Sequence, residues 1–266
     1  MPWHTPFLPL VRKLPAETAH AVGLSLLKLP LRWAKTVDDP YTWQGLTFRN
    51  RIGIAAGFDK NAVALRGLER LGVGFVEVGT ILVEPWAGNP DRPRLERLYN
   101  TKGIWNKLGF PNEGMNIIAE RLKRFPRSKR QGMLVACNIG PHPGHLKSCD
   151  KPESYLELTR NELIQLIEKL HTETDFFVIN LSSPNTAGLR GLLSDPRLTT
   201  DLIVPVRKKL NLLELSHGRA IPLLMKLPPD DPDKNPWTAT SLRAWSPPFW
   251  KSKPATGSWQ STPPPD

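Results

Sequence analysis

Cysteine is nearly absent. Only Cys137 and Cys149 occur in 266 residues, a number and spacing that build neither a disulfide framework nor a zinc site. A reducing, cytoplasm-facing compartment is the expectation that follows. No apolar run reaches the roughly 18 residues of a spanning helix. The N-terminus also lacks a continuous apolar core ending in small residues, so no secretory leader is expected. Acidic residues are outnumbered, 25 against 36 lysines and arginines, and the formal charge of +11 favours anionic partners. The basic residues are dispersed, with no dense block and no nucleic-acid module, so nucleic acid is not an expected partner. Apolar residues make up 39% of the chain, enough for a sizeable core, and proline is abundant at 28. Ten of those prolines and four of the nine tryptophans fall in residues 227–266, which lack helical or strand periodicity and read as an irregular tail.

From residue 46 onward a pattern repeats. Apolar or small-residue runs at 52–58, 75–78, 133–137, 176–179 and 221–225 each give way to polar groups: Asp59 and Lys60, Thr80, Asn138, Asn180 and Lys226 in turn. Between them, 62–71, 112–125, 152–170 and 201–210 place apolar residues at helical spacing. Alternation of strand and helix predicts a parallel α/β architecture. Five polar strand ends converge on one face more readily in a closed barrel than in a doubly wound sheet. The expected fold is therefore a TIM-type (β/α)8 barrel with about the first five β/α units present. The 40 residues after 226 are too few for three further units of about 30 residues each.

Three stretches carry the functional interest. The first is DFFVINLSSPNTAGLR at 175–190, where a uniformly apolar run breaks into Asn180, Ser182, Ser183, Asn185 and Thr186 around Pro184. On a strand's carboxyl end such a burst forms either a site for a polar planar molecule or a hydrophilic turn. The residues alone leave both open. The second is the insertion at 81–110, a candidate lid or a solvated charged loop. The third is 1–40, where AETAHAVGLSLLKL has helical spacing at Ala19, Val22, Leu26 and Leu29, with aromatic and cationic residues around it. Such a helix packs on a domain or lies in a membrane interface, and composition favours packing.

The motifs AAGFDKN at 55–61, FVEVGT at 75–80, GNPDRPRLERL at 88–98, NKLGFPNEG at 106–114, NIG at 138–140, NLSSPNTAGLR at 180–190 and LMKLPPD at 224–230 occur in a characteristic order. With them the sequence resembles the dihydroorotate dehydrogenases, specifically the membrane-associated, quinone-reducing class 2 enzymes, over about residues 5–230. The resemblance implies a TIM-type barrel that binds FMN at its strand ends. It implies flavin contacts from Ala56, Gly57, Phe58, Asp59, Lys60, Thr80, Asn138, Asn180 and Lys226. It implies dihydroorotate contacts from Lys60, Asn106, Lys107, Leu108, Gly109, Phe110, Asn180 and Asn185. Ser183 matches the catalytic base, and serine rather than cysteine there agrees with class 2. Residues 1–40 become a helical extension through which a membrane quinone enters, which reverses the preference for plain packing. Peripheral attachment to the cytoplasmic face of a bacterial inner membrane is the implied location.

The implied chemistry removes a proton from C5 of dihydroorotate and a hydride from C6, the hydride going to flavin N5. A serine hydroxyl needs a shielded site to serve as base. Asparagine amides pair with pyrimidine carbonyl and N–H groups. Lys60 offers a positive charge for the carboxylate, and Lys226 stabilises negative charge on the reduced ring. Two departures stand out. Pro141-His142-Pro143-Gly144-His145 replaces the Lys-Asn pair usual after NIG, and the family pattern stops near Asp233. The expected organisation is an extension at 1–40, a partial FMN-binding barrel at 41–233 and a tail at 234–266. The competing expectation is an inactive, truncated fragment that lacks the flavin-phosphate half of the barrel.

Overall fold

Every residue of Phe176–Asn180 is buried, as a strand covered on both faces requires. In the computed structural model, which describes residues 8–30, 36–149, 151–182 and 196–226, this strand lies inside a parallel sheet. In chain order the elements begin with α1 (Leu8–Lys13), α2 (Ala16–Leu27), β1 (Tyr41–Trp43), β2 (Leu46–Phe48), β3 (Gly53–Ile54), α3 (Leu65–Arg70) and β4 (Phe75–Ile81). Then come β5 (Leu95–Leu98), β6 (Gly103–Asn106), α4 (Gly114–Lys123), β7 (Leu134–Ile139), α5 (Pro143–Leu146), α6 (Pro152–Leu170), β8 (Phe176–Asn180), α7 (Pro196–His217) and β9 (Leu223–Lys226). The five-stranded sheet runs β3-β4-β7-β8-β9, each neighbouring pair parallel. Strand order follows chain order with a helix in each crossover, the arrangement of a β/α barrel wall.

The helices cover the sheet with the faces their sequences provide. In α6 the buried residues Leu163, Leu166, Ile167 and Leu170 recur at three- and four-residue intervals. Ile118, Ala119 and Leu122 do the same for α4, and Leu202, Val206 and Leu210 for α7. The predicted helix at 152–170 is matched end to end, whereas α7 is longer at both ends than the predicted 201–210. The run 52–58 yields only the two-residue strand β3, because the chain turns into the loop that carries Lys60.

Two hairpins are additions to the predicted pattern. β1 and β2 pair antiparallel across Gln44 and Gly45, both at positive φ (+48° and +76°), the geometry a two-residue hairpin needs. This hairpin plugs the amino-terminal end of the sheet. Phe48 lies 5.7 Å from Phe75 and 6.1 Å from Phe176, ring centre to ring centre. Leu46, Ala136 and Val178 complete the cluster. Gly53 admits the Phe75 ring, which would stand 2.1 Å from any β-carbon there. The second hairpin, β5 with β6, gives the 81–110 insertion a structured arm.

Asp175 locks the same end electrostatically. Its carboxylate accepts Arg127 Nε at 2.7 Å, Arg130 Nη1 at 2.5 Å and the Val135 N–H at 2.8 Å. The Arg130 and Asp175 side chains are only 4% and 3% exposed, so neither charge has water to fall back on. Asp175→Ala leaves the buried Arg130 guanidinium with only Glu173, 4.0 Å away, as counter-charge. The expected loss, read from urea unfolding, is about 3–5 kcal/mol.

Candidate functional site

The carboxyl ends of the strands open into a cleft of about 1000 Å³. After β3 the chain runs through Ala55 and Ala56, whose small side chains keep the wall low, to Gly57 at φ +99°. The Gly57 N–H donates to Gly79 O at 2.9 Å, fastening this loop to β4. Asp59 then turns the chain: its two carboxylate oxygens accept the N–H groups of Val63 and Ala64 at 2.9 and 2.8 Å. Asp59 is wholly buried, its carboxylate committed to the start of α3 and its backbone oxygen accepting from Gly79 N at 3.3 Å. That turn aims Lys60 inward, where Nζ donates to Gly57 O at 2.6 Å. Burial lowers the Lys60 pKa, with Glu17 and Asp59 opposing the shift. Among the described residues Lys60 has no salt bridge, which leaves a half-dehydrated cation ready for an anionic ligand.

Three strands meet behind the cleft wall. Asn180 Nδ2 donates to Thr80 Oγ1 at 2.9 Å, and Thr80 Oγ1 donates to Asn138 Oδ1 at 2.8 Å. Asn138 Nδ2 reaches Glu77 Oε2 at 3.2 Å. Asn180 Oδ1 accepts both the N–H and the hydroxyl of Ser182, at 3.2 and 2.9 Å. Thr80, Asn180 and Ser182 line the cleft, while Asn138 is wholly buried behind them and orients them. Lys226 pairs in register with Asn180 and also lines the cleft. Cys137, next to Asn138, is structural: burial pushes its thiol up to about 12. Ser183 and Asn185 lie outside the described residues.

The opposite wall is the segment after β6. Asn106, Leu108, Gly109 and Phe110 line the cleft, whereas Lys107 Nζ lies 5.7 Å from the Trp105 ring and Lys107 is not part of the lining. Gly109 and Phe110 both have positive φ, +71° and +61°. For phenylalanine that conformation is strained, and such strain concentrates at binding sites. Asn112 holds the segment in place. Its Nδ2 donates to Lys60 O at 3.0 Å and Asn61 Oδ1 at 3.2 Å, and its Oδ1 accepts from Leu82 N and Gly114 N at 3.2 and 2.9 Å.

The fourth side is α2, which sequence reasoning treated only as an extension. His20 Nε2 donates to Phe58 O at 2.6 Å, burial lowers the His20 pKa, and Glu17 accepts Arg94 Nη2 at 2.8 Å. Glu17, His20 and Leu24 line the cleft together with Trp86. Gly67 lets α2 approach α3, since a β-carbon there would stand 2.0 Å from Leu27 O. The apolar stripe read from the sequence faces the other way: Val22, Leu26 and Leu29 are 37%, 46% and 45% exposed, and Leu27 is the residue buried. A helix with only a few contacts per turn gives no sequence signal of which side docks. Beyond Leu27, α2 is fastened by His20, Glu17 and the bond from Arg70 Nη2 to Leu27 O, which the spacing of apolar residues does not register.

The donor set fits a flavin ring and a small anionic pyrimidine: small residues on one side, amide and hydroxyl groups on another, cationic Lys60 turned inward and Lys226 at the exposed rim. Two substitutions probe this framework. Asn112→Ala strips partners from four groups and is expected to destabilise the chain by about 1–3 kcal/mol in denaturant titration. Lys60→Met is expected to leave stability unchanged or raise it at neutral pH. The wild type binds fewer protons at this site folded than unfolded, so its stability relative to Lys60→Met should rise as pH climbs from the lowered folded value toward 10.5. Paired urea titrations across that range measure the difference.

The sequence profile of the dihydroorotate dehydrogenase family matches residues 41–244. A dihydroorotate dehydrogenase (quinone) of Stenotrophomonas maltophilia K279a is 39% identical over 234 residues, covering 85% of this chain and 63% of that one. The protein of the same name from Aromatoleum aromaticum is 37% identical, over 84% of this chain and 60% of its own. The chain thus spans about three fifths of the length of these curated relatives. Among solved structures, a DHODH from Eimeria tenella in complex with ferulenol superposes with a TM-score of 0.70 at 31% identity, covering 82% of this chain and 60% of that one. The ligand-free form from the same organism gives 0.69 at the same identity. The parallel sheet with its helices is accordingly a TIM-type α/β fold, and the chain belongs to the dihydroorotate dehydrogenase family.

Proposed function

We propose that this chain oxidises (S)-dihydroorotate to orotate with FMN and passes the electrons to a membrane quinone, a step of pyrimidine nucleotide synthesis. The observation that carries this reading is the convergence of Lys60, Thr80, Asn180, Ser182, Lys226 and the 106–110 segment on a single cleft. FMN, when bound, supplies the hydride acceptor. Ala56, Gly57, Phe58, Lys60, Thr80, Asn180 and Lys226 would hold it, with Asp59 shaping the loop from behind and Asn138 fixing Thr80, which in turn holds Asn180.

The chain's own residues bind, orient and deprotonate the substrate. Lys60 is already stripped of much of its water, so an incoming carboxylate gains more from it than from a solvated ammonium. Asn106 and the strained Gly109–Phe110 pair present the second face of the site. Asn180 and Asn185 pair with the pyrimidine's polar edge. Ser183 takes the proton from C5. It follows directly on Ser182, which is tied to Asn180, so the strand that orients the amide also leads into the base. Retention of this whole set argues against the inactive-fragment alternative.

In this reading residues 41–233 form the catalytic barrel portion, 1–40 the quinone-facing extension and 234–266 a tail rich in proline and tryptophan. The exposed stripe Val22, Leu26 and Leu29, beside exposed Lys28, suits an apolar helix face resting on an anionic membrane. No helix among the described residues is long and apolar enough to cross a membrane. Peripheral attachment at the cytoplasmic face of a bacterial inner membrane is the corresponding location.

Purified chain supplied with FMN should reduce a short-chain quinone analogue in a dihydroorotate-dependent manner. Ser183→Ala should lower kcat by about 10²–10⁴-fold while orotate still binds. Absence of turnover in the wild type, or full turnover in Ser183→Ala, would contradict the assignment.

A further inference from the structure

At the end of the molecule away from the cleft, α6 and α7 finish side by side, and each finishes on a histidine. His171 is the residue at which α6 stops, and His217 is the last residue of α7. Their Nε2 atoms face each other at 3.3 Å, with ring centres 4.5 Å apart and ring planes inclined at 72°. Each δ nitrogen is turned back on its own helix. His171 Nδ1 lies 2.9 Å from Glu168 O, and His217 Nδ1 lies 3.0 Å from Leu213 O and 2.8 Å from Ser216 Oγ. The Ser216 hydroxyl donates to the same Leu213 carbonyl at 3.0 Å.

Backbone carbonyls only accept, so both δ nitrogens carry the ring proton. Both ε nitrogens then face each other as acceptors, and a shared proton or a metal cation held between them satisfies both. Two bonds of about 2.0–2.1 Å at the tetrahedral angle place ligand nitrogens about 3.3–3.4 Å apart, the separation found here. Fixing Nδ1–H on a carbonyl is also how proteins orient a metal-binding imidazole. Two helix C-termini add partial negative charge at the same point.

We propose that His171 and His217 form a two-histidine site for a borderline divalent cation of the Zn²⁺, Ni²⁺ or Cu²⁺ type, clamping the ends of α6 and α7 together. Water completes the coordination, since no cluster of three or more histidine, cysteine or acidic ligands occurs among the described residues. Of the nearby charges, Lys209 pairs with Glu168, while Arg219 donates to His171 O and Thr174 O at 2.6 and 2.9 Å and so turns its N–H groups to the backbone beside the rings. The clamp joins the two helices on either side of β8 in the chain, and β8 is the strand that carries Asn180.

The test is competition for Zn²⁺ between a chromogenic chelator and the untagged full chain, compared with His217→Ala and His171→Asn. His217 is exposed, so its substitution leaves the fold intact and carries the test even where His171→Asn folds poorly. One Zn²⁺ per chain is expected, with affinity falling by about tenfold or more in His217→Ala. A rise in the thermal midpoint with Zn²⁺ should appear in the wild type and vanish in His217→Ala. No Zn²⁺ binding by the wild type, or equal binding by His217→Ala, would overturn the proposal.

Discussion

Thr80 Oγ1 is the atom on which the site depends. A hydroxyl gives one proton and accepts others, and here it accepts from Asn180 on β8 while donating to Asn138 on β7. With those two bonds made, each amide has one orientation, and Asn180 Oδ1 is left to hold Ser182. The wall of polar groups facing the cleft is thus set by buried hydrogen bonds and not by flexible surface side chains. The parallel register makes this possible: Ile81, Ile139 and Ile179 stand opposite one another, so residues near the strand ends fall at one level. Buried amides linked in this way are costly to disturb, because any member that loses its partner is left dehydrated.

The opposite end of the sheet answers a different need. The β1–β2 hairpin and the Phe48, Phe75 and Phe176 rings close it with apolar surface, and Asp175 with its two arginines closes its rim. Stability is thereby concentrated away from the cleft, where Lys60 and the Gly109–Phe110 turn are held in conformations that a search for stability alone would avoid. The helix α2 bridges the two requirements. One side is fastened by His20, Glu17 and Leu27, and the other leaves Val22, Leu26 and Leu29 in solvent.

Much of this was legible in the sequence because strand ends were marked by abrupt changes of residue type. The change from Ile179 to Asn180, or from Met225 to Lys226, signals both the end of a strand and a polar group placed at it. The 3.6-residue spacing in α6 was equally direct. The hairpins were not legible, since β1 and β2 have three residues each and their turn is Gln44–Gly45 instead of a stronger Asn-Gly signal. The orienting role of Asn112 was hidden for another reason: its four partners come from three separate segments. The docking side of α2 was hidden because it rests on the polar contacts of His20 and Glu17 and on one buried leucine, Leu27, while its apolar stripe points outward. The pairing of His171 with His217 spans 46 residues and depends on where two helices end, which no local pattern encodes.

The most direct measurement mixes the FMN-loaded chain with dihydroorotate in the absence of oxygen and follows the visible absorbance of the oxidised flavin. If Thr80, Asn138 and Asn180 order a flavin wall beside a dihydroorotate pocket, the absorbance falls in a single turnover and returns when a quinone analogue is added. Absorbance unchanged by dihydroorotate, with FMN bound, would contradict it.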